Sequence, residues 1–123
     1  MEESKKTILV VDDSPLIIKR LLDMLSEIPQ LSWIKQAGSY QEAVALIDKY
    51  QPRILLLDIN LPDKSGIEIL RSSKEQHPTV KVIMITNQAN VYYQKLCMKL
   101  GADYFIDKTK EFEKITAIIT GLE

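Results

Sequence analysis

Four short runs of this chain are apolar at every position. They are Ile8-Leu9-Val10-Val11, Ile54-Leu55-Leu56-Leu57, Val82-Ile83-Met84-Ile85 and the briefer Tyr104-Phe105-Ile106. Successive side chains of a strand point to opposite faces of its sheet, so a strand without alternation has no face to offer water. Such strands suit a parallel sheet, where helices cover both sides. A fifth candidate, Trp33-Ile34-Lys35-Gln36-Ala37, is the most polar and is expected at an edge.

Between these runs the apolar spacing becomes helical. Ile18, Leu21, Leu22 and Leu25 follow the i, i+3, i+4, i+7 pattern of one helix face. Ala43, Leu46 and Ile47 repeat it over a shorter stretch; Tyr93, Leu96, Cys97 and Leu100 form another stripe; Phe112, Ile115, Ile119 and Leu122 form the last. Ser14-Pro15 supplies a cap and a first-turn proline. Ser39 with Glu42, and Ser65 with Glu68, have capping-box spacing. Gly101 follows the fourth stripe, where a left-handed cap ends a helix. Strands and helices alternate strictly, five of each, which is the pattern of a doubly wound α/β domain. Right-handed crossovers then place helices on both faces, and the ligand crevice lies beyond the carboxyl ends of the strands.

Composition narrows the function classes. At 123 residues and 46% hydrophobic content the chain has the size of one domain, residues 1–123, with a substantial core. A net charge of −1 gives no sign of direct nucleic-acid binding, and no basic cluster marks a membrane surface. The apolar runs fall far short of the roughly 20 residues of a spanning helix. The N-terminal Met1-Glu2-Glu3-Ser4-Lys5-Lys6 leads directly into strand-like sequence, without the apolar core of a signal peptide. Cys97 has no partner for an internal disulfide and lies in an apolar stripe, so it is expected to be a packing residue in a reducing cytoplasm. His77, before Pro78, is expected in a surface loop. Trp33 is expected to pack the second strand. Helical geometry turns Tyr93 toward the core and Tyr92, about 100° around the helix, toward solvent.

The strand ends carry the chemistry. The first strand ends in Asp12-Asp13, the third in Asp58, the fourth in Thr86 and the fifth in Asp107-Lys108. Singly, each has a plain structural reading as a helix cap, a turn residue or a solvated lysine. Together they converge on one rim, where three carboxylates repel one another and call for a compensating cation. Mg2+ suits this set, because it accepts a few carboxylates, keeps its waters and recruits phosphate oxygens. A carboxylate beside Mg2+, a lysine and a hydroxyl suits phosphoryl transfer, with Asp58 as nucleophile and Lys108 and the metal neutralising the phosphoryl oxygens.

These residues resemble the receiver domain of two-component response regulators. The resemblance runs from Ile8 to about Leu122. It rests on Asp12-Asp13, on Asp58-Ile59-Asn60-Leu61-Pro62-Asp63-Lys64-Ser65-Gly66, on Thr86 and on Gly101-Ala102-Asp103-Tyr104-Phe105-Ile106-Asp107-Lys108. It implies a flavodoxin-like, five-stranded parallel sheet of order 2-1-3-4-5 flanked by five helices. It further implies that Asp58 is the phosphoacceptor, Asp13 the direct metal ligand, Asp12 an acidic partner acting through water, and Asn60 a metal ligand through its backbone carbonyl. Lys108 matches the phosphate-pairing lysine, Thr86 the switch hydroxyl and Phe105 the switch aromatic. The implied donor is a histidine kinase or histidine phosphotransfer protein. The implied output surface, for a downstream target or output domain, is formed by the fourth helix, fifth strand and fifth helix. Such a module is not an enzyme in the ordinary sense, since its catalysis extends at most to its own phosphorylation and dephosphorylation. Family positions that tune phosphoryl lifetime correspond to Asn60 and Gln88.

The chain departs from the family pattern at three places. Asn87 follows the switch threonine where a small residue is usual, Thr109 follows the lysine where proline is usual, and Phe105 lacks a hydroxyl. Rival readings are a small Mg2+-dependent aspartyl-phosphate phosphohydrolase, an interaction module that is never phosphorylated, and a flavodoxin. The first wants an acidic residue where Asn60 stands. The last wants a glycine-rich first turn where Asp12-Asp13-Ser14-Pro15 stands.

Overall fold

Three of the four continuously apolar runs form strands with both faces covered, while the fourth, Tyr104-Phe105-Ile106, forms an edge strand that leaves Tyr104 exposed. The computed structural model describes residues 6–87 and 90–122. In chain order its elements are β1 (Lys6–Val11), α1 (Pro15–Leu25), β2 (Leu31–Ala37), α2 (Tyr40–Tyr50), β3 (Ile54–Asp58), α3 (Gly66–Gln76), β4 (Lys81–Thr86), α4 (Val91–Lys99), β5 (Tyr104–Asp107) and α5 (Lys114–Gly121). The strands pair in parallel in the order β2-β1-β3-β4-β5, as the resemblance implied. The winding reverses between β1 and β3.

The missing alternation has a direct cause. Leu9, Val11, Leu55, Leu57, Val82 and Met84 join one buried cluster, which Ala43, Ile47, Ile69, Leu70 and Cys97 complete from α2, α3 and α4. Their immediate neighbours Ile8, Val10, Ile54, Leu56, Ile83 and Ile85 join a second, with Leu21, Leu25, Ile115 and Ile119 from α1 and α5. Each full burial of such a side chain is worth about 1.5–3 kcal/mol, so both faces contribute to stability. Cys97 is fully buried, and burial pushes its thiol up to about 11, consistent with a packing role. β2 lies at an edge and begins two residues before the expected start, at Leu31. Trp33 packs edge-on against Tyr50 with ring centroids 5.9 Å apart.

The helix ends follow their sequence signals with two adjustments. Ser14 Oγ accepts the Ile17 N–H, and Pro15 opens α1. Ser39 Oγ accepts the Glu42 N–H, but Glu42 returns its carboxylate to Gly38 rather than to the cap residue itself. Ser65 Oγ accepts the Ile67 N–H. Gly101, at φ 107°, ends α4; its N–H donates to Met98 O and the Ala102 N–H to Cys97 O, the paired bonds of a Schellman cap. The last stripe is only partly helical. Phe112 is buried in the second cluster but precedes α5, while Arg20 lies over its ring. Tyr92 is 70% exposed and Tyr93 packs against the first cluster, as helical rotation requires. No helix among the described residues is long and apolar enough to cross a membrane.

Candidate functional site

The parallel register brings four chain segments to one rim. Val11 pairs with Leu57, Asp58 with Ile85, and Thr86 with Asp107. The residues at or just beyond these pairs are Asp12, Asp13, Asp58, Thr86 and Lys108. One carboxylate oxygen from each of Asp12, Asp13 and Asp58 lies within 4.8 Å of the other two. Asp12 and Asp58 are buried and Asp13 is exposed, so the cluster opens to solvent on one side.

Lys108 is the buried counter-charge. Its Nζ contacts Asp12 Oδ2 and lies 3.3 Å from Asp58 Oδ2. Among the described residues, this one lysine pairs with two carboxylates of the three-carboxylate cluster. Asp12 Oδ1 accepts the Ser14 N–H at 2.9 Å, but Oδ2 has no partner in hydrogen-bond geometry despite its contact with Lys108. Burial raises the Asp58 carboxyl from 3.8 to about 6; Lys108 opposes the rise, Asp12 adds to it, and the Asn60 N–H also opposes it. The surplus negative charge and the all-oxygen donors fit a hard divalent cation.

Local structure explains how these groups are held. Gly66 opens α3 directly against the end of β3, and its N–H donates to Ile59 O at 2.8 Å. A Cβ on Gly66 would fall 1.9 Å from Asp58 O, so only glycine permits this approach. Lys108 is fixed without a following proline. Its N–H donates to Thr86 O at 2.9 Å. Asp107 Oδ1 accepts from the Thr109 N–H, the Thr109 hydroxyl and the Lys110 N–H, while the Asp107 N–H donates to Glu111 Oε1. No cis peptide bond occurs among the described residues. Asp107, Thr109 and Glu111 were not singled out as a supporting group from sequence, although Asp-x-Thr is a recognisable Asx-turn pattern.

The remaining candidates are distributed around this centre. Thr86 is fully buried beneath the rim. Asn87 is exposed and shares a cleft of about 370 Å³ with Lys108, Thr109 and Arg20. Gln88 lies outside the described residues. Asn60 is exposed at the start of the β3–α3 loop. Phe105 is half-buried against the first cluster, on the side of α4. His77 is the C-cap of α3, half-buried, and lines a cleft with Lys6, Arg53 and Lys81 at the opposite end of the sheet. It takes no part in the rim cluster.

Comparison with known proteins identifies the fold and the family. The family model described as the response regulator receiver domain matches residues 8–120. The chain belongs to that family. The receiver domain reading extends to solved structures. A CheY-like receiver domain protein from Methanospirillum hungatei superposes with a TM-score of 0.82 at 30% identity, covering 94% of each chain. The BeF3-activated DrrB receiver domain, from a Thermotoga maritima regulator, gives 0.84 at 29% identity, covering 94% of this chain and 95% of that one. Among curated relatives, the transcriptional regulatory protein TrcR of Mycobacterium tuberculosis is 34% identical over 94% of this receiver domain and 44% of its own length. The chain spans about half the length of the curated relatives it matches. Several, such as EvgA of Escherichia coli, are DNA-binding transcriptional activators, so the expectation of no direct nucleic-acid contact gains no support from them. Residues 8–120 are therefore a receiver domain of the kind found in two-component response regulators.

Proposed function

We propose that this receiver domain takes a phosphoryl group onto Asp58 from a phosphohistidine donor in a Mg2+-dependent reaction, and that residues 1–123 act as one phosphoacceptor unit. The observation that carries the proposal is the convergence of Asp12, Asp13 and Asp58 within 4.8 Å, with Lys108 3.3 Å from Asp58. Asp58 Oδ attacks phosphorus as the phosphorus–nitrogen bond of the donor breaks. The electron pair leaves on the imidazole nitrogen, which takes up a proton. Asp12, Asp13, Asp58 and the Asn60 carbonyl would hold Mg2+, which when bound offsets charge on the phosphoryl oxygens. Asp13 would bind it directly, and Asp12, which is already engaged by Lys108 and the Ser14 N–H, would act through water. Lys108 turns from Asp58 to the new phosphoryl group, and Thr86 supplies a hydroxyl to it.

Phosphorylation replaces a carboxylate of charge −1 with a group of roughly −2, the local change that biases a two-state element. Thr86 and Phe105 form that element, with Phe105 acting through packing alone. The donor is a histidine kinase or histidine phosphotransfer protein. The output surface is α4–β5–α5, where Val91, Tyr92 and Met98 of α4 and Tyr104 of β5 expose apolar area to a downstream protein or output domain. The buried, unpaired Cys97 supports a reducing cytoplasm as the site of action.

The test is incubation with Mg2+ and a small phosphodonor, followed by intact mass. Wild type is expected to gain one phosphoryl mass and Asp58→Asn none. Absence of the gain, or a gain that survives the substitution, overturns the proposal. Repeated turnover of a phosphoester would instead favour the phosphohydrolase.

A further inference from the structure

We infer that Asp63 is a positioning residue that sets the spacing between the two halves of the cation site, an inference that rests on the Mg2+-dependent reading of Asp58. The donors come from two separate segments. Asp12 and Asp13 follow β1, while Asp58 and Asn60 belong to β3 and its loop. Below the rim the sheet joins these segments. Above it, Lys108 bridges the carboxylates of Asp12 and Asp58, and Asp63 makes a second tie between the backbones that carry them.

Asp63 is exposed, five residues beyond Asp58, and its carboxylate is spent on the N-terminus of α2. Asp63 Oδ1 accepts the Tyr40 N–H at 2.8 Å, and Oδ2 accepts the Gln41 N–H at 3.0 Å. Oδ1 also accepts the Lys64 N–H at 3.1 Å, which fixes the loop around the carboxylate. Lys64 Nζ lies 4.8 Å from the centre of the Tyr40 ring, a second contact across the same junction. With Ser39 Oγ on the Glu42 N–H, the first three N–H groups of α2 are all taken by side chains. Two of the three go to a residue more than twenty positions away. A local cap would have served the helix alone.

The junction leads back to the other donors. Tyr40 follows Ser39 and Gly38, which follow Ala37 at the end of β2. Ala37 O accepts the Asp12 N–H at 3.1 Å, and the Gly38 N–H is held by Glu42 Oε1 at 2.8 Å. A closed circuit therefore runs from Asp12 through Ala37 and Tyr40 to Asp63, and back along the loop to Asn60 and Asp58. The loop's far end is clamped by the Gly66 N–H on Ile59 O. Mg2+ requires near-octahedral donors at about 2.0–2.1 Å, so a small change in the separation of the halves is felt in affinity.

The test compares Asp63→Ala, Asp63→Asn and Ser39→Ala with wild type. Mg2+ is titrated and its dissociation constant read from backbone amide shifts, while thermal stability is measured in parallel. Asp63→Ala is expected to weaken Mg2+ binding by about tenfold or more, the usual size of an outer-shell effect. Asp63→Asn, which keeps one acceptor oxygen, is expected to fall between. Ser39→Ala uncaps the same helix without touching the loop; it is expected to lower stability and leave Mg2+ affinity unchanged. Reciprocally, Mg2+ should slow hydrogen exchange at the Tyr40 and Gln41 amides of wild type. Wild-type affinity in Asp63→Ala, or equal weakening in Ser39→Ala, overturns the inference alone. Failure of wild type to bind Mg2+ overturns the parent reading and the inference with it.

Discussion

Replacing Asp58 by asparagine is expected to make the metal-free protein more stable, although it removes the proposed phosphoacceptor. The reason is the cost of an ionised carboxylate in this position. Burial raises the Asp58 carboxyl from 3.8 to about 6 against the pull of Lys108. A group whose folded value is raised binds its proton more tightly in the folded than in the unfolded chain. Its contribution is therefore fully present below about pH 4 and is lost as pH rises through about 6. Two pH units at about 1.36 kcal/mol each give a loss of roughly 3 kcal/mol by pH 7.5. Asparagine is neutral throughout, and Lys108 keeps its contact with Asp12. In chelator at pH 7.5 the variant should be more stable by about 2–3 kcal/mol, which for this size of domain is on the order of 10 °C in Tm. Near pH 3.5, below the unfolded-chain value, the two proteins should nearly coincide. Urea unfolding followed by Trp33 fluorescence measures this across the pH range. Asp63, Asp107 and Glu111, whose carboxyls are held low by hydrogen bonds, give an opposite trend at acid pH. They are common to both proteins and cancel in the difference. Parallel stability profiles, or a variant less stable than wild type at pH 7.5, would refute the electrostatic account.

Two further substitutions probe the supports of the same site. Gly66→Ala drives a methyl group to 1.9 Å from Asp58 O, so α3 must move away from β3; a loss of about 1–3 kcal/mol, typical of overpacking, is expected in urea unfolding, together with much slower phosphorylation of Asp58 in the mass assay. Unchanged stability would show that the close approach is not needed. Lys108→Met removes the only cation found against Asp12 and Asp58 among the described residues. Breaking a buried pair costs about 3–5 kcal/mol, so the variant should be strongly destabilised at pH 7.5, partly restored at pH 5 as Asp58 protonates, and restored by Mg2+. A loss independent of both pH and Mg2+ would count against the lysine's electrostatic role.

Much of this architecture is written locally. Continuous apolar runs demand coverage on both faces, and the two clusters supply it with alternate residues of the same strands. Ser14-Pro15, Ser39 and Gly101 mark helix ends through bonds to residues a few positions away, so a linear reading finds them. The strand-end residues Asp12, Asp13, Asp58, Thr86 and Lys108 were legible for a related reason: in a parallel sheet all carboxyl ends share one rim, whatever the strand order. Period and spacing do not reveal that order; the family motifs supplied it. Three features were decided only by tertiary structure. Gly66 reads as an ordinary helix-start residue until the backbone of Asp58 is seen against it. The loop of Lys108 lacks the family's proline, and its replacement by bonds among Asp107, Thr109 and Glu111 depends on a turn geometry that spacing alone leaves open. Asp63 reads as a solvated loop residue until α2 is placed beside it, because its partners Tyr40 and Gln41 lie far away in the chain. Hydrophobic period and cap chemistry are short-range and survive in the sequence. The distance between the two halves of the acidic site is set by hydrogen bonds between distant segments, and these exist only once the chain has folded.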